Sequence, residues 1–159
     1  THDQDEALAV SDRIIVMKDG RIAQEGAPRE LYEAPASSFI ADFMGEANVM
    51  PCDVVGFEGE EAMIRLGALT QRVPRRNVSQ PGAAKLAVRP NAIVLEPADK
   101  APFGGVVTHS AYLGDHVEYE VETDAGRLFV IDPAVERMLP ATTPVAIAFR
   151  NRGIAIITS

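Results

Sequence analysis

The chain has 159 residues, 47% hydrophobic and 24% charged, a globular composition with enough length to bury a real core. Its net charge of −8 offers no basic face for tracking nucleic acid or an anionic membrane. The single cysteine, Cys52, excludes an intrachain disulfide and reads as a small buried hydrophobe, and no apolar run approaches the length of a membrane span.

In chain order, Asp3 followed by Glu6 predicts a capped helix from Gln4 to about Ser11, with Ala7, Leu8 and Val10 as its apolar contacts. Ile14 to Met17 is too short for a helix and predicts a strand buried on both faces. Asp19-Gly20 predicts a hairpin turn, with Arg21 to Glu25 returning as an edge strand. Pro28 suits the first turn of a helix running to about Glu33, and Pro35 ends it. Ser37 or Ser38 can cap a second short helix carrying Phe39, Ile40, Phe43 and Met44, with Gly45 closing it. Those apolar residues would pack the helix into the core or against a second subunit.

From Asn48 onward the texture changes to short strands separated by Gly, Pro, Asn and Asp. One group spans Val49–Phe57, Ala62–Leu66, Leu69–Val73, Lys85–Arg89 and Ala92–Leu95. The other spans Val106–Leu113, Val117–Val121, Leu128–Ile131, Val145–Phe149 and Ile154–Ile157, with Asp99 to Phe103 as the loop between groups. Val117, Tyr119 and Val121 alternate with Glu118, Glu120 and Glu122, so that strand predicts one buried face and one solvated face too charged for edge-to-edge pairing. Many short strands without a long helical pattern predict a small barrel. The expected fold is mainly β, an oligonucleotide-binding-like (OB-like) barrel over residues 48–159 preceded by an α/β piece over residues 1–47.

Few residues carry chemistry. His2 stands just before the capped helix, where unpaired backbone N–H groups favour anions, and a histidine so placed can help orient water at a terminal phosphate. Taken by itself, a histidine in such a place is more often a solvated surface residue. His109 and His116 lack a metal-ligand spacing, and no thiolate joins them, so no metal site is predicted. Arg75-Arg76 reads as a solvated loop. Arg89 is held extended by Pro90 and could pair with an acidic strand residue or meet a solute oxyanion.

The string Thr1-His2-Asp3-Gln4, Glu6-Ala7-Leu8, Asp12-Arg13-Ile14, Gly20-Arg21-Ile22, Gln24, Gly26, Pro28, Glu30, Tyr32 and Pro35 resembles the end of the ATP-binding subunit of an ABC importer. The class is the one that takes up sugars, polyamines, ferric iron and similar solutes, and the match leans toward the polyamine and iron branches. Val88-Arg89-Pro90, Gly105-Val106 and Tyr112-Leu113-Gly114 resemble that family's transport-associated OB-like (TOBE) regulatory domain.

The resemblance implies that His2 is the switch histidine touching the γ-phosphate, serving both catalysis and cofactor contact in a full-length protein that uses ATP and Mg. It also implies a second copy of the subunit, membrane permease partners, and a place on the cytoplasmic face of the membrane. The sequence departs from the family in holding no G-x-x-x-x-G-K-[ST] loop, Walker B acid, signature loop or glutamine loop. The expectation is therefore a C-terminal fragment, inactive alone and serving dimerisation and regulation. Two rivals are a small-oxyanion or solute-binding regulatory module, with Arg89 as its anion contact, and a purely structural homodimerisation domain. Nucleic acid is not an expected partner.

Overall fold

The computed structural model describes residues 6, 8–76 and 78–157. The Asp3 cap and His2 lie outside the described residues. Residues 6 and 8–10 are helical, within the span expected for the first helix. β1 (Ile14–Lys18) and β2 (Arg21–Gly26) form a two-stranded sheet. Asp19 and Gly20 turn it with φ of 52° and 75°, and the two left-handed residues match the twist of the strands they join. β1 is not buried on both faces as the apolar run suggested. Val16 is buried, whereas Ile15 and Met17 are 53% and 58% exposed, because within the described residues β2 is the one strand beside it and one face is uncovered.

Two six-residue helices follow, α1 (Pro28–Glu33) and α2 (Ser38–Phe43). Pro28 opens α1, where its missing N–H costs nothing, and the Ser37 hydroxyl accepts from Ile40 N at 3.3 Å to start α2. Leu31, Ile40 and Met44 close over Val16 with Leu8, Ile14 and Phe39. Phe39 and Phe43 stack at 5.8 Å, and the Lys18 ammonium lies 4.8 Å from the Phe39 ring. Phe39 and Met44 therefore pack on the hairpin and not in the barrel core, while Phe43 is exposed.

The rest of the described chain is β3 (Asn48–Glu58), β4 (Glu61–Leu66), β5 (Leu69–Pro74), β6 (Gly82–Val88), β7 (Ile93–Pro97), β8 (Gly104–Tyr112), β9 (Val117–Thr123), β10 (Gly126–Asp132), β11 (Pro144–Phe149) and β12 (Ile154–Ile157). They make two five-stranded sheets, ordered β12-β6-β3-β4-β5 and β10-β9-β8-β11-β7. Every strand expected after Asn48 is present, and the fold is mainly β with a small α/β part. The two groups of strands in sequence are not the two sheets, however. β7 leaves the first group to pair with β11, and β12 returns from the second to pair with β6. That exchange lets one core run through both sheets, from Met50, Ile64 and Leu86 to Tyr119, Leu128 and Ile147.

Register shifts between Val54 and Gly56 and between Val107 and His109 bend β3 and β8 at bulges, as a curved sheet requires. Val117, Tyr119 and Val121 point inward as their alternation predicts. β9 is nonetheless an interior strand between β8 and β10, so its glutamates guard no edge. Glu122 pairs with Arg127 across the β9–β10 hairpin at 3.3 Å. Ile154–Ile157 is buried at every position because both faces are covered: Ile154 and Ile156 face the core, while Ile157 meets Ala41 of α2 beside Ala87. Cys52 is buried, and desolvation, helped by Asp53, pushes its thiol up to about 11, so it stays protonated and inert at neutral pH.

Gly105 leaves no room for a side chain against β9. A Cβ there would stand 2.3 Å from Glu122 O and 2.8 Å from Thr123 Cγ2. Gly105→Ala should therefore destabilise the fold by about 1–3 kcal/mol, read as a lower urea midpoint with an unchanged slope. An unchanged midpoint would refute the close packing of these strands.

Candidate functional site at the joint between helices and barrel

Short helices leave their last carbonyls without partners, and those oxygens carry the negative end of the helix dipole. Neither α1 nor α2 has a basic residue in its last turn. The missing cation comes from the barrel. Arg89 follows β6 directly and precedes a 3₁₀ turn, Pro90–Ala92. Its φ of −67° and ψ of 146° are the extended geometry that a following proline imposes. Its backbone N–H donates to Gly153 O at 2.7 Å, which fixes the stem.

The Arg89 side chain is 2% exposed and crosses into the helical part. Nε and Nη2 donate to Tyr32 O at 3.2 and 2.9 Å, at the end of α1. Nη1 donates to Ala41 O at 2.8 Å, Glu46 O at 3.0 Å and Gly45 O at 3.2 Å, at the end of α2. The guanidinium also lies 4.2 Å from the Tyr32 ring. Burial lowers its pKa, opposed by Tyr32 and Asp42, yet an arginine so placed keeps its charge.

Arg89 thus meets neither an acidic strand residue nor an open anion site. Every guanidinium nitrogen is spent on main-chain carbonyls, and the side chain is out of reach of a solute. Its observed work is to cap two helices at once and bind them to the barrel.

Three neighbours complete the joint. Ala41, Ala87 and Ile157, flanked by Ala47 and Val49, bring α2 and the sheet close through small side chains. Asn48 is buried, donating from Nδ2 to Phe129 O at 2.8 Å and Val88 O at 3.3 Å while Phe129 N donates to its Oδ1 at 2.8 Å. It thereby pairs an edge position of β10 with the other sheet. Arg152 reaches from the β11–β12 turn to Glu33 at the end of α1, donating from Nε and Nη2 to Oε1 at 3.0 and 2.6 Å. Sequence reasoning missed these last two. A β-disfavoured asparagine opening an otherwise apolar strand was the available signal for Asn48.

The remaining expected residues lie elsewhere. His116 Nδ1 is 2.6 Å from Asp115 and its Nε2 3.3 Å from Glu118. His109 is exposed and stands opposite Glu120 in the β8–β9 pair. Among the described residues no group of three or more His, Cys, Asp or Glu is placed to hold a metal ion. Arg75 is less solvated than expected, donating to Val78 O at 3.0 Å with its guanidinium 4.3 Å from the Phe57 ring. No described helix is long and apolar enough to cross a membrane.

Residues 86–156, from β6 through Arg89 to β12, match the family model of the TOBE domain. That stretch of the chain is similar to a TOBE domain. The chain is 71% identical over 157 residues to the Fe(3+) ions import ATP-binding protein FbpC 1 of Rhizobium meliloti, covering 99% of this chain and 44% of that protein. The Brucella abortus FbpC is 66% identical over the same shares. The spermidine/putrescine import ATP-binding protein PotA of Ruegeria pomeroyi is 44% identical over 132 residues, covering 82% of this chain and 36% of that protein. The chain thus spans less than half the length of these curated relatives. A molybdate-bound structure of the cytoplasmic molybdate-binding protein ModG aligns with a TM-score of 0.56 at 14% identity, covering 70% of this chain and 96% of that one. At that identity the likeness concerns the fold alone.

Two predictions follow from the joint and from the imidazole. Arg89→Met leaves several buried carbonyls unpaired and should cost about 3 kcal/mol in denaturant unfolding, with Arg89→Lys intermediate because one ammonium cannot span both helix ends. Equal stability of the two variants would mean that the forked geometry is irrelevant. Hydrogen bonds from His116 to Asp115 and Glu118 raise its pKa. Its stabilising contribution is then full below the unfolded value near ~6.5 and is lost as pH rises through the raised folded value. Asp115→Asn should lower the His116 midpoint in an NMR titration, and an unmoved midpoint would contradict the pairing.

Proposed function

We propose that this chain is the C-terminal part of the ATP-hydrolysing subunit of an ABC importer, with ferric iron as the solute. Identity of 71% across 99% of the chain to an Fe(3+) import ATP-binding protein carries the reading, and the weaker likeness to a polyamine relative supports the same class. In this reading residues 1–47 close the nucleotide-binding domain and residues 48–159 form the TOBE regulatory barrel. ATP and Mg are held by the part of the protein that precedes this sequence, and His2 of this chain reaches the γ-phosphate bound there. The partners are a second copy of the subunit and the membrane permease, which would hold the protein on the cytoplasmic face.

The chain's own contribution is dimer contact and regulation. The joint favours this over chemistry, because its one buried cation is committed to backbone carbonyls and leaves nothing to activate a nucleophile.

The complete reading frame upstream of Thr1 should encode a phosphate-binding loop, and its product should hydrolyse ATP. There, His2→Ala should lower turnover by about 10²–10³-fold, the scale for losing one group that stabilises transition-state charge. The 159-residue chain by itself should neither bind nor turn over ATP. Turnover by this chain at the rate of the longer product would sink the proposal.

A further inference from the structure

A second cationic feature lies on the outer side of the joint. The β11–β12 turn carries Arg150 and Arg152 two residues apart. Gly153, with φ of 81°, follows where a Cβ would come within 3.3 Å of the Arg89 stem. This turn, Asn91 of the 3₁₀ segment, and Tyr32 and Glu33 of α1 enclose a shallow hollow of about 300 Å³.

Its charge runs against that of the molecule. Arg150 and Arg152 both line it against the single carboxylate of Glu33, and that carboxylate is already shared, since Glu33 accepts from Arg29 Nε at 3.1 Å as well as from Arg152. The two arginines hold the Glu33 carboxyl below its ordinary range, so it is ionised at neutral pH. Arg150 has an exposed side chain that joins no ion pair or hydrogen bond among the described residues, and the Asn91 side chain is likewise uncommitted. The α1 carbonyl at Tyr32, which would repel an anion beside the hollow, is neutralised from beneath by Arg89.

We propose that this hollow binds a small multivalent oxyanion, a phosphate or a polycarboxylate, between Arg150, Arg152 and the Asn91 amide. Glu33 is the resident competitor. An incoming anion takes over the Arg152 guanidinium, whose planar fork suits carboxylate and phosphate alike. Binding therefore trades the Arg152–Glu33 ion pair between barrel and α1 for a bridge to the ligand, while Arg89 keeps the helices docked. The site stands on the geometry of the joint and is independent of the import reading.

Calorimetry on the 159-residue chain with inorganic phosphate and, separately, citrate tests it and distinguishes the two sources of anion. One of them should bind with a micromolar to low-millimolar Kd at low ionic strength, and added sodium chloride should weaken it. Arg150→Gln should weaken binding about tenfold, a loss of ~1.4 kcal/mol, without moving the melting temperature, because that side chain holds no structural contact. Glu33→Gln should tighten binding by removing the competitor. Heat uptake by neither anion, binding unaltered by Arg150→Gln, or binding weakened by Glu33→Gln would each overturn the proposal.

Discussion

The structure depends on one buried cation doing what two helices cannot do for themselves. Helices of six residues are below the length at which a helix holds in water, so α1 and α2 persist only through what they pack against. Packing supplies Leu31, Ile40 and Ala41, all fully buried, but it cannot satisfy the carbonyls at their ends. Taking a guanidinium out of water costs several kcal/mol unless its donors are filled. Here the two deficits cancel. The carbonyl oxygens of Tyr32, Ala41, Gly45 and Glu46 are the acceptors Arg89 needs, and Arg89 is the donor set they lack.

Much of the local sequence follows from that arrangement. Pro90 holds Arg89 extended, so the side chain leaves β6 toward the helices and does not follow the strand. Gly153 adopts a left-handed φ of 81° and keeps its Cβ position empty beside the Arg89 stem, while its carbonyl takes the Arg89 N–H. Gly45, with φ of 143°, turns the chain out of α2 so that two successive carbonyls face the same nitrogen. Alanines at 41, 47 and 87 let the layers approach closely enough for the guanidinium to reach both helix ends. A bulkier residue at any of these positions would act on the joint without touching Arg89 itself.

The strands were legible because their determinants are local. Alternation over Val117–Val121, the Asp19-Gly20 turn and the Ser37 cap each declare themselves within a few residues. What was not legible is what pairs with what across long separations. The apolar run at Ile154–Ile157 announces burial on both faces, yet nothing in it says that β6, 70 residues earlier in register at Leu86, is its partner. The same limit applies to Arg89. Its proline-fixed geometry could be read from two letters, but its acceptors are main-chain oxygens, and a carbonyl has no sequence signature. Side-chain chemistry suggested an acid or an anion because those are the partners that letters can name. For β1 the error had another source: four apolar residues in a row resemble a doubly covered strand whether or not the second cover is part of the chain.

A joint built from hydrogen bonds behaves differently from one built from hydrocarbon. Apolar layers slide, since their attraction is short-ranged but almost independent of angle. Donor–acceptor pairs weaken steeply once the angle falls away from linear, and a rigid planar fork loses several of them together. A shift of an ångström between α2 and the β6 end would strain the contacts to Ala41, Gly45 and Glu46 in one movement, and each carbonyl left dry is costly. The barrel and the two helices must therefore move as one body or separate outright. A barrel attached in this way is coupled to the helices by position. The Arg89 contacts are short and directional enough to carry a displacement of the barrel to α1, α2 and the β1–β2 hairpin packed on them.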